Sequence, residues 1–131
     1  GSDGTSKGIR AFRENKKIDN VWFFKNFAPE NFLRLLYNSN GIIGNSSVAI
    51  RECSFLGVPA VNIGTRQNGR LRGKNVIDVD FNKNNILEAI ISLSSKERHL
   101  SEKIYGEGDA GGKIAELLSK LPFTVDKRLT Y

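Results

Sequence analysis

The sequence predicts an α/β fold built on a doubly wound parallel sheet, and three observations predict it. Short apolar runs recur along the chain, too brief for helices. Segments with helical periodicity separate them, and Gly, Pro and Asn mark the boundaries. Buried strands alternating with helices pair in parallel through helical crossovers.

Thr5 or Ser6 is placed to cap a first helix through Ile9 and Phe12, ending near Lys16 and Lys17. Val21-Trp22-Phe23-Phe24 is an unbroken block of β-formers and reads as a buried strand, with Trp22 and Phe23 in the core. Pro29 suits the first turn of a second helix, which carries Phe32, Leu33, Leu35 and Leu36 and breaks at Asn38-Ser39-Asn40-Gly41. Gly41-Ile42-Ile43-Gly44 is strand length. Val48 to Leu56 reads as a helix stopped by Gly57 and Pro59. Strands follow at Ala60–Ile63 and Val76–Val79, with a glycine-rich basic loop between them. Asn84 or Asn85 would cap a helix bearing Ile86, Leu87, Ile90, Ile91 and Leu93. A last amphipathic helix runs from about Gly111 to Leu121. The organisation expected is one domain over residues 1–122 and a short polar arm at 123–131.

A length of 131 residues allows one domain with a real core, and 39% hydrophobic with 26% charged residues is ordinary globular composition. No apolar run approaches the ~20 residues that span a bilayer, and no signal-peptide pattern opens the chain, so no membrane partner is expected. The single cysteine, Cys53, excludes an internal disulfide framework and fits a reducing cytoplasm. No Cys, His, Asp or Glu cluster has ligand spacing, and neither a metal nor a cofactor is expected. A net charge of +6 favours polyanionic partners, though a solvated basic surface with no ligand is the commonest reading of such a charge.

The chemistry concentrates where a strand meets the next helix, at Gly44-Asn45-Ser46-Ser47. Ligands of open parallel sheets bind beyond the carboxyl ends of the strands. A first helical turn offers unpaired amides, and Ser46 and Ser47 add hydroxyls, so a diphosphate fits there; Ser46 as a plain helix cap is the alternative. In a continuous helix Glu52 would lie ~9 Å further along the axis, suited to the diol of an attached ribose. A salt bridge to Arg51 or to the basic loop is the other use for that carboxylate. The loop Gly64-Thr65-Arg66-Gln67-Asn68-Gly69-Arg70 opens on the same sheet edge. Arg66, nearest the strand end, is the best phosphate fork, with Asn45 and Arg70 as secondary phosphate candidates. Arg70, Arg72 and Lys74 are more exposed by position, and simple solvation is the alternative for all three.

Three further features carry less. Gly106-Glu107-Gly108-Asp109-Ala110-Gly111 fits a dinucleotide fingerprint but follows Lys96 to Tyr105, a polar, helix-like stretch, where the fingerprint needs a strand. Cys53 lies on an apolar face and reads as a small core residue. A basic nucleic-acid-binding module is the rival from another class, but no recognition signature supports it and no nucleic-acid partner is expected.

In this order and spacing, Gly44-Asn45-Ser46-Ser47, Ile50-Arg51-Glu52, Leu56-Gly57-Val58-Pro59 and Asn62-Ile63-Gly64-Thr65-Arg66-Gln67 resemble the second domain of UDP-N-acetylglucosamine 2-epimerases. Ser2-Asp3-Gly4-Thr5-Ser6-Lys7-Gly8-Ile9 and Tyr105-Gly106-Glu107-Gly108-Asp109-Ala110 extend the likeness over nearly the whole chain. The resemblance implies a Rossmann-like domain of a two-domain, glycosyltransferase-B type enzyme, with UDP or a UDP-sugar held in the cleft. The family reaction eliminates UDP in anti fashion to a glycal, then re-adds UDP with inversion at C2 or adds water to release N-acetylmannosamine. Ser46 and Ser47 would contact the diphosphate, Glu52 the ribose hydroxyls, Arg66 the phosphates, and the backbone near Phe27 the uracil.

The family's acid/base carboxylates belong to its first domain and its histidine to a strand upstream of Gly1, so no catalytic residue is expected in this chain. His99 reads as a surface residue and does not replace that histidine. Val48 and Ala49 depart from the small residues or glycine of relatives, and Asn26 stands after Lys25 where animal relatives have histidine. The resemblance further implies that the chain lacks its domain's first two strands and its N-terminal partner domain, and that it forms a homodimer. Alone it is not expected to turn over UDP-GlcNAc. The Gly-Thr-Arg-Gln loop favours the hydrolysing kind, of sialic-acid-type pathways. A half-domain of a glycosyltransferase using UDP- or GDP-sugars is the alternative on the same fold.

Overall fold

A computed structural model describes residues 2–15, 19–94 and 97–122. They fall into two compact units, Gly1–Phe32 and Leu33–Tyr131. The arm at 123–131, the end of the first helix at Lys16 and Lys17, and Lys96 lie outside the described residues.

In the first unit, α1 spans Ser2–Asn15. It begins ahead of Thr5 and Ser6, which therefore lie within it rather than capping it. Asp3 in its first turn sets a carboxylate against the positive end of the helix dipole. Residues 21–24 are not a strand, contrary to their composition, and no described strand pairs with them. Trp22 is 72% and Phe24 66% exposed, and Phe23 lies under the Arg13 guanidinium, 4.9 Å from ring centre to carbon. Apolarity calls for burial, but an extended run becomes a strand only where a ladder partner takes its backbone groups. Phe24, Phe27 and Phe32 form an aromatic row, with centroids 4.8 and 6.4 Å apart.

α2 (Pro29–Tyr37) runs through the boundary between the units, and Leu36 is its buried residue. Its last carbonyls are capped from afar. The Arg98 guanidinium donates to the main-chain oxygens of Tyr37 and Ser39 and lies 4.5 Å over the Tyr37 ring.

Among the described residues the sheet has three strands, β1 (Ile42–Gly44), β2 (Ala60–Ile63) and β3 (Val76–Val79), in that order and all parallel. Val61 of the central strand pairs with Ile43 on one side and Ile77 on the other. α4 (Lys83–Ser94) covers the face that presents Val61, where Ala89 and Leu93 close a core flanked by Ile63, Ile77 and Val79. Asn82 caps α4, its Oδ1 accepting from the amides of Asn84 and Asn85, so the cap sits earlier than either asparagine expected. No helix among the described residues is long and apolar enough to cross a membrane.

The two crossovers differ. β1 reaches β2 through a 3-10 turn (Ser47–Ala49) and the short α3 (Glu52–Leu56), not through one helix from Val48 to Leu56. The interruption has a cause outside the segment. Asn75 Nδ2 donates to Ala49 O at 3.3 Å, taking the carbonyl that a continuous helix would give to the amide of Cys53. The Ser54 hydroxyl lies 2.7 Å from Ile50 O, competing for the next rung. α3 ends at Gly57, left-handed at φ 69°, whose N–H turns back to the carbonyls of Cys53 and Ser54. β2 reaches β3 through residues 64–75 with no helix at all, so the basic loop is itself the crossover.

Residues 97–103 are not helical either. The chain runs as a strap across α3 and the loop, with His99 N donating to Gly57 O and Glu102 N to Ser54 O. The Glu102 carboxylate accepts from Lys74 N, and Tyr105 OH donates to Leu71 O at 2.8 Å. His99 is half-buried. Its main chain is what the fold uses. α5 (Ala110–Lys120) follows, with no buried residue and its Ile114, Leu117 and Leu118 exposed.

Candidate functional site

The Asn45-Ser46-Ser47 turn forms because β1 ends at Gly44 and Ser46 caps the 3-10 turn, its Oγ accepting from Val48 N at 3.4 Å. The capping role is thus real, and it leaves the hydroxyl proton of Ser46 able to point outward. The amides of Ala49, Ile50 and Arg51 bond within the turn to Ser46 O and Ser47 O. The turn itself supplies no acceptor for the amides of Ser46 and Ser47. Because the helix is broken, little macrodipole accumulates behind these groups; whatever attracts an anion here is local.

The basic loop meets this turn. Arg66 Nη1 lies 3.4 Å and Gln67 Nε2 2.8 Å from the main-chain oxygen of Asn45. Arg66 is exposed, whereas Gln67 is 3% exposed and its Oε1 has no partner among the described residues. Arg70 is exposed, and its carbonyl accepts from Arg72 Nη1. Arg72 is not simply solvated. Its Nε pairs with Asp78 Oδ2 at 2.5 Å, while Asp78 Oδ1 accepts from the buried Asn62 Nδ2 at 2.6 Å. Loop, β3 and β2 are tied together by that chain of contacts.

Glu52 opens α3 and is half-buried, with Oε2 buried and unpartnered among the described residues. It makes no ion pair with Arg51 or the loop among those residues. Glu52 is one wall of a cavity of about 360 Å³, with Leu33, Arg51, Phe55, Glu102 and Tyr105 among the others; Asn45, Ser46, Ser47 and Arg66 do not line it. A buried carboxylate oxygen with no donor is costly, and it is the kind of group a ligand hydroxyl completes. The adjacent Cys53 is fully buried, and burial first, then the Glu52 charge, pushes its thiol up to about 12. A thiol held protonated is no nucleophile.

Phe27 belongs to the first unit. Its ring is half-buried in the aromatic row, and its N–H is taken by Asn26 Oδ1 at 2.9 Å. Sequence reasoning overlooked Gln67, Asn75 and the strap residues Glu102 and Tyr105. Asn75 and Glu102 close with Ser54 around Gly73, where a Cβ would stand 2.5 to 2.7 Å from Ser54 Oγ, Asn75 Oδ1 and Glu102 Oε2 and force one of those side chains to move.

Comparison with known proteins now adds to the geometry. The family model described as UDP-N-acetylglucosamine 2-epimerase matches residues 2–119. The chain is 37% identical over 86 residues to a UDP-N-acetylglucosamine 2-epimerase of Neisseria meningitidis, covering 66% of this chain and 23% of that protein. It is 34% identical over 102 residues to a hydrolysing UDP-N,N'-diacetylbacillosamine 2-epimerase of Legionella pneumophila, covering 78% and 27%. A polysialic acid biosynthesis protein P7 of Escherichia coli is 37% identical over 101 residues, covering 77% and 25%. The matched regions span about a quarter of those relatives. The Asn45-Ser46-Ser47 turn, the loop at Arg66 and the cavity at Glu52 all fall inside the matched residues, and the chain belongs to the UDP-N-acetylglucosamine 2-epimerase family.

Proposed function

We propose that this chain is the UDP-holding part of a UDP-N-acetylglucosamine 2-epimerase of glycosyltransferase-B type. In this reading the diphosphate lies at the Asn45-Ser46-Ser47 turn, with the Ser46 and Ser47 hydroxyls and amides donating to it and Arg66 alongside. Glu52 accepts from the ribose diol. Arg70 adds a more distant positive charge. The observation that carries the reading is Glu52, its Oε2 buried and unpartnered among the described residues, at the wall of a cavity of about 360 Å³, within a chain of this family.

The contribution to catalysis is electrostatic. Elimination of UDP builds charge on the departing diphosphate, and donors aimed there speed the step only where their bonds tighten as the C–O bond breaks. The acid/base groups belong to the rest of the enzyme, so this chain alone binds UDP without turning over UDP-GlcNAc. The hydrolysing, cytoplasmic and homodimeric character of the enzyme belongs to the same proposal.

Calorimetric titration tests it. UDP should bind, and Glu52→Gln should weaken it; a chain that ignores UDP refutes the reading, and release of N-acetylmannosamine by the chain alone refutes its inactivity. A second reading concerns the nucleotide. A Campylobacter jejuni relative, 42% identical over 74 residues, is a hydrolysing GDP/UDP-N,N'-diacetylbacillosamine 2-epimerase. A GDP arm in the same titration decides whether this turn discriminates between bases. An oligonucleotide arm at two salt concentrations covers the basic-module alternative, to which the exposed Trp22 and Phe23 lend surface.

A further inference from the structure

Gln67 is the least expected group at the mouth. Its side chain is 3% exposed, Nε2 donates to Asn45 O at 2.8 Å, and Oε1 is buried without a partner among the described residues. Packing alone does not explain a glutamine there, because an apolar side chain of the same shape avoids the unpaired carbonyl. What the amide supplies is the bond to Asn45 O.

That oxygen matters because of what shares its peptide plane. In a trans peptide the C=O of Asn45 and the N–H of Ser46 point in opposite directions. Holding the oxygen against the loop turns the Ser46 amide hydrogen away from the loop. It also keeps a partially negative carbonyl from swinging toward an incoming anion. Arg66 reaches the same oxygen at 3.4 Å, a longer and weaker contact, and its remaining donors stay available.

We propose that Gln67 is a positioning residue for the diphosphate of a nucleoside diphosphate. It fixes the Asn45–Ser46 peptide plane so that the Ser46 amide faces the anion, and it does not touch the ligand itself. This rests on the reading that the diphosphate docks at residues 45–47.

The test uses the whole chain, two variants and two ligands, UDP and uridine. Gln67→Met keeps shape and removes the donor. UDP affinity should fall about tenfold while uridine affinity and thermal midpoint hold, since only the phosphate end is disturbed. Gln67→Glu places a carboxylate against the Asn45 carbonyl at neutral pH. Its UDP affinity relative to the unaltered chain should recover as pH falls, beginning above the ordinary carboxyl range because burial and the facing carbonyl both favour the protonated acid, which again donates. Equal UDP binding by Gln67→Met, or equal loss of uridine and UDP, overturns the inference. If Gln67→Met does not fold, a pH-independent affinity ratio for Gln67→Glu overturns it instead. Failure of the unaltered chain to bind UDP sinks the site reading and this inference together. UDP binding that both variants leave untouched sinks only the role of Gln67.

Discussion

Asn75 and Gln67 are side-chain amides of equal burial, each 3% exposed, and the protein uses them in opposite ways. Asn75 is saturated. Its Nδ2 donates to Ala49 O and Val58 O, and its Oδ1 lies 2.9 Å from the Ser54 hydroxyl, whose one proton it shares with Ile50 O. Gln67 makes one bond, to Asn45, and leaves Oε1 bare. The saturated amide breaks a helix and locks the first crossover onto the end of the second. The half-satisfied amide instead holds a main-chain oxygen of the Asn45-Ser46-Ser47 turn. A bare acceptor does not by itself mark function, since Asn62, fully buried with Oδ1 also unpartnered among the described residues, ties β2 to Asp78; Gln67 differs in that its one bond falls on the Asn45 carbonyl of the turn.

Replacing the saturated amide is the strongest way to break this contrast. Asn75→Leu leaves the carbonyls of Ala49 and Val58 buried without donors, and should cost about 3–5 kcal/mol in urea unfolding. Gln67→Met, with one bond lost and one orphan removed, should stay within about 0.5 kcal/mol of the unaltered chain. Equal losses would mean the two amides do the same work.

The close packing around Asn75 gives the next effect. Gly73→Ala sets a methyl 2.5 to 2.7 Å from Ser54 Oγ, Asn75 Oδ1 and Glu102 Oε2. Something in that cluster must move, at about 1–3 kcal/mol. A fall in melting temperature that disappears when Gly73→Ala is made in an Asn75→Leu chain would show that the clash acts through Asn75.

The contrast also explains what could be read in advance. β1, β2 and β3 were legible because apolar runs bounded by glycine and proline carry their own signal. That Arg66 would stand beside Asn45 followed from both lying past the ends of adjacent parallel strands. The broken helix was not legible, because its cause, Asn75, lies 26 residues beyond the Ala49 carbonyl it captures. Val21 to Phe24 misled for the same reason: apolarity is local, and a ladder partner is not. Gln67 gave no signal, since a glutamine in a polar loop reads as solvated until the fold buries it.

A pH titration sharpens the packed side of the comparison. Cys53 beside Glu52 has its thiol pushed up to about 12, above the ordinary range near 8.5. Sign follows from proton counting: between roughly pH 9 and 12 the unfolded chain has lost the thiol proton and the folded chain keeps it. Stability is therefore complete below about pH 8.5 and falls by about 1.4 kcal/mol per pH unit above it. Cys53→Ala should remove that slope while leaving the slopes of lysine and tyrosine titration in place.

The smallest effect probes the ligand side through Glu52. Its Oε2 is buried without a donor, so Glu52→Gln relieves a desolvated charge and should leave stability unchanged or slightly raised. Binding should move the other way. A carboxylate accepts hydrogen bonds from both hydroxyls of a ribose, whereas an amide offers one acceptor and one unmatched donor, so UDP should weaken about fivefold, near 1 kcal/mol. The decisive arm is 2',3'-dideoxy-UDP. If Glu52 grips the ribose, the unaltered chain prefers UDP to the dideoxy ligand, and Glu52→Gln erases that preference. A preference that survives the substitution would take the ribose away from Glu52 and assign the cavity it lines with Tyr105 and Phe55 to some other ligand group.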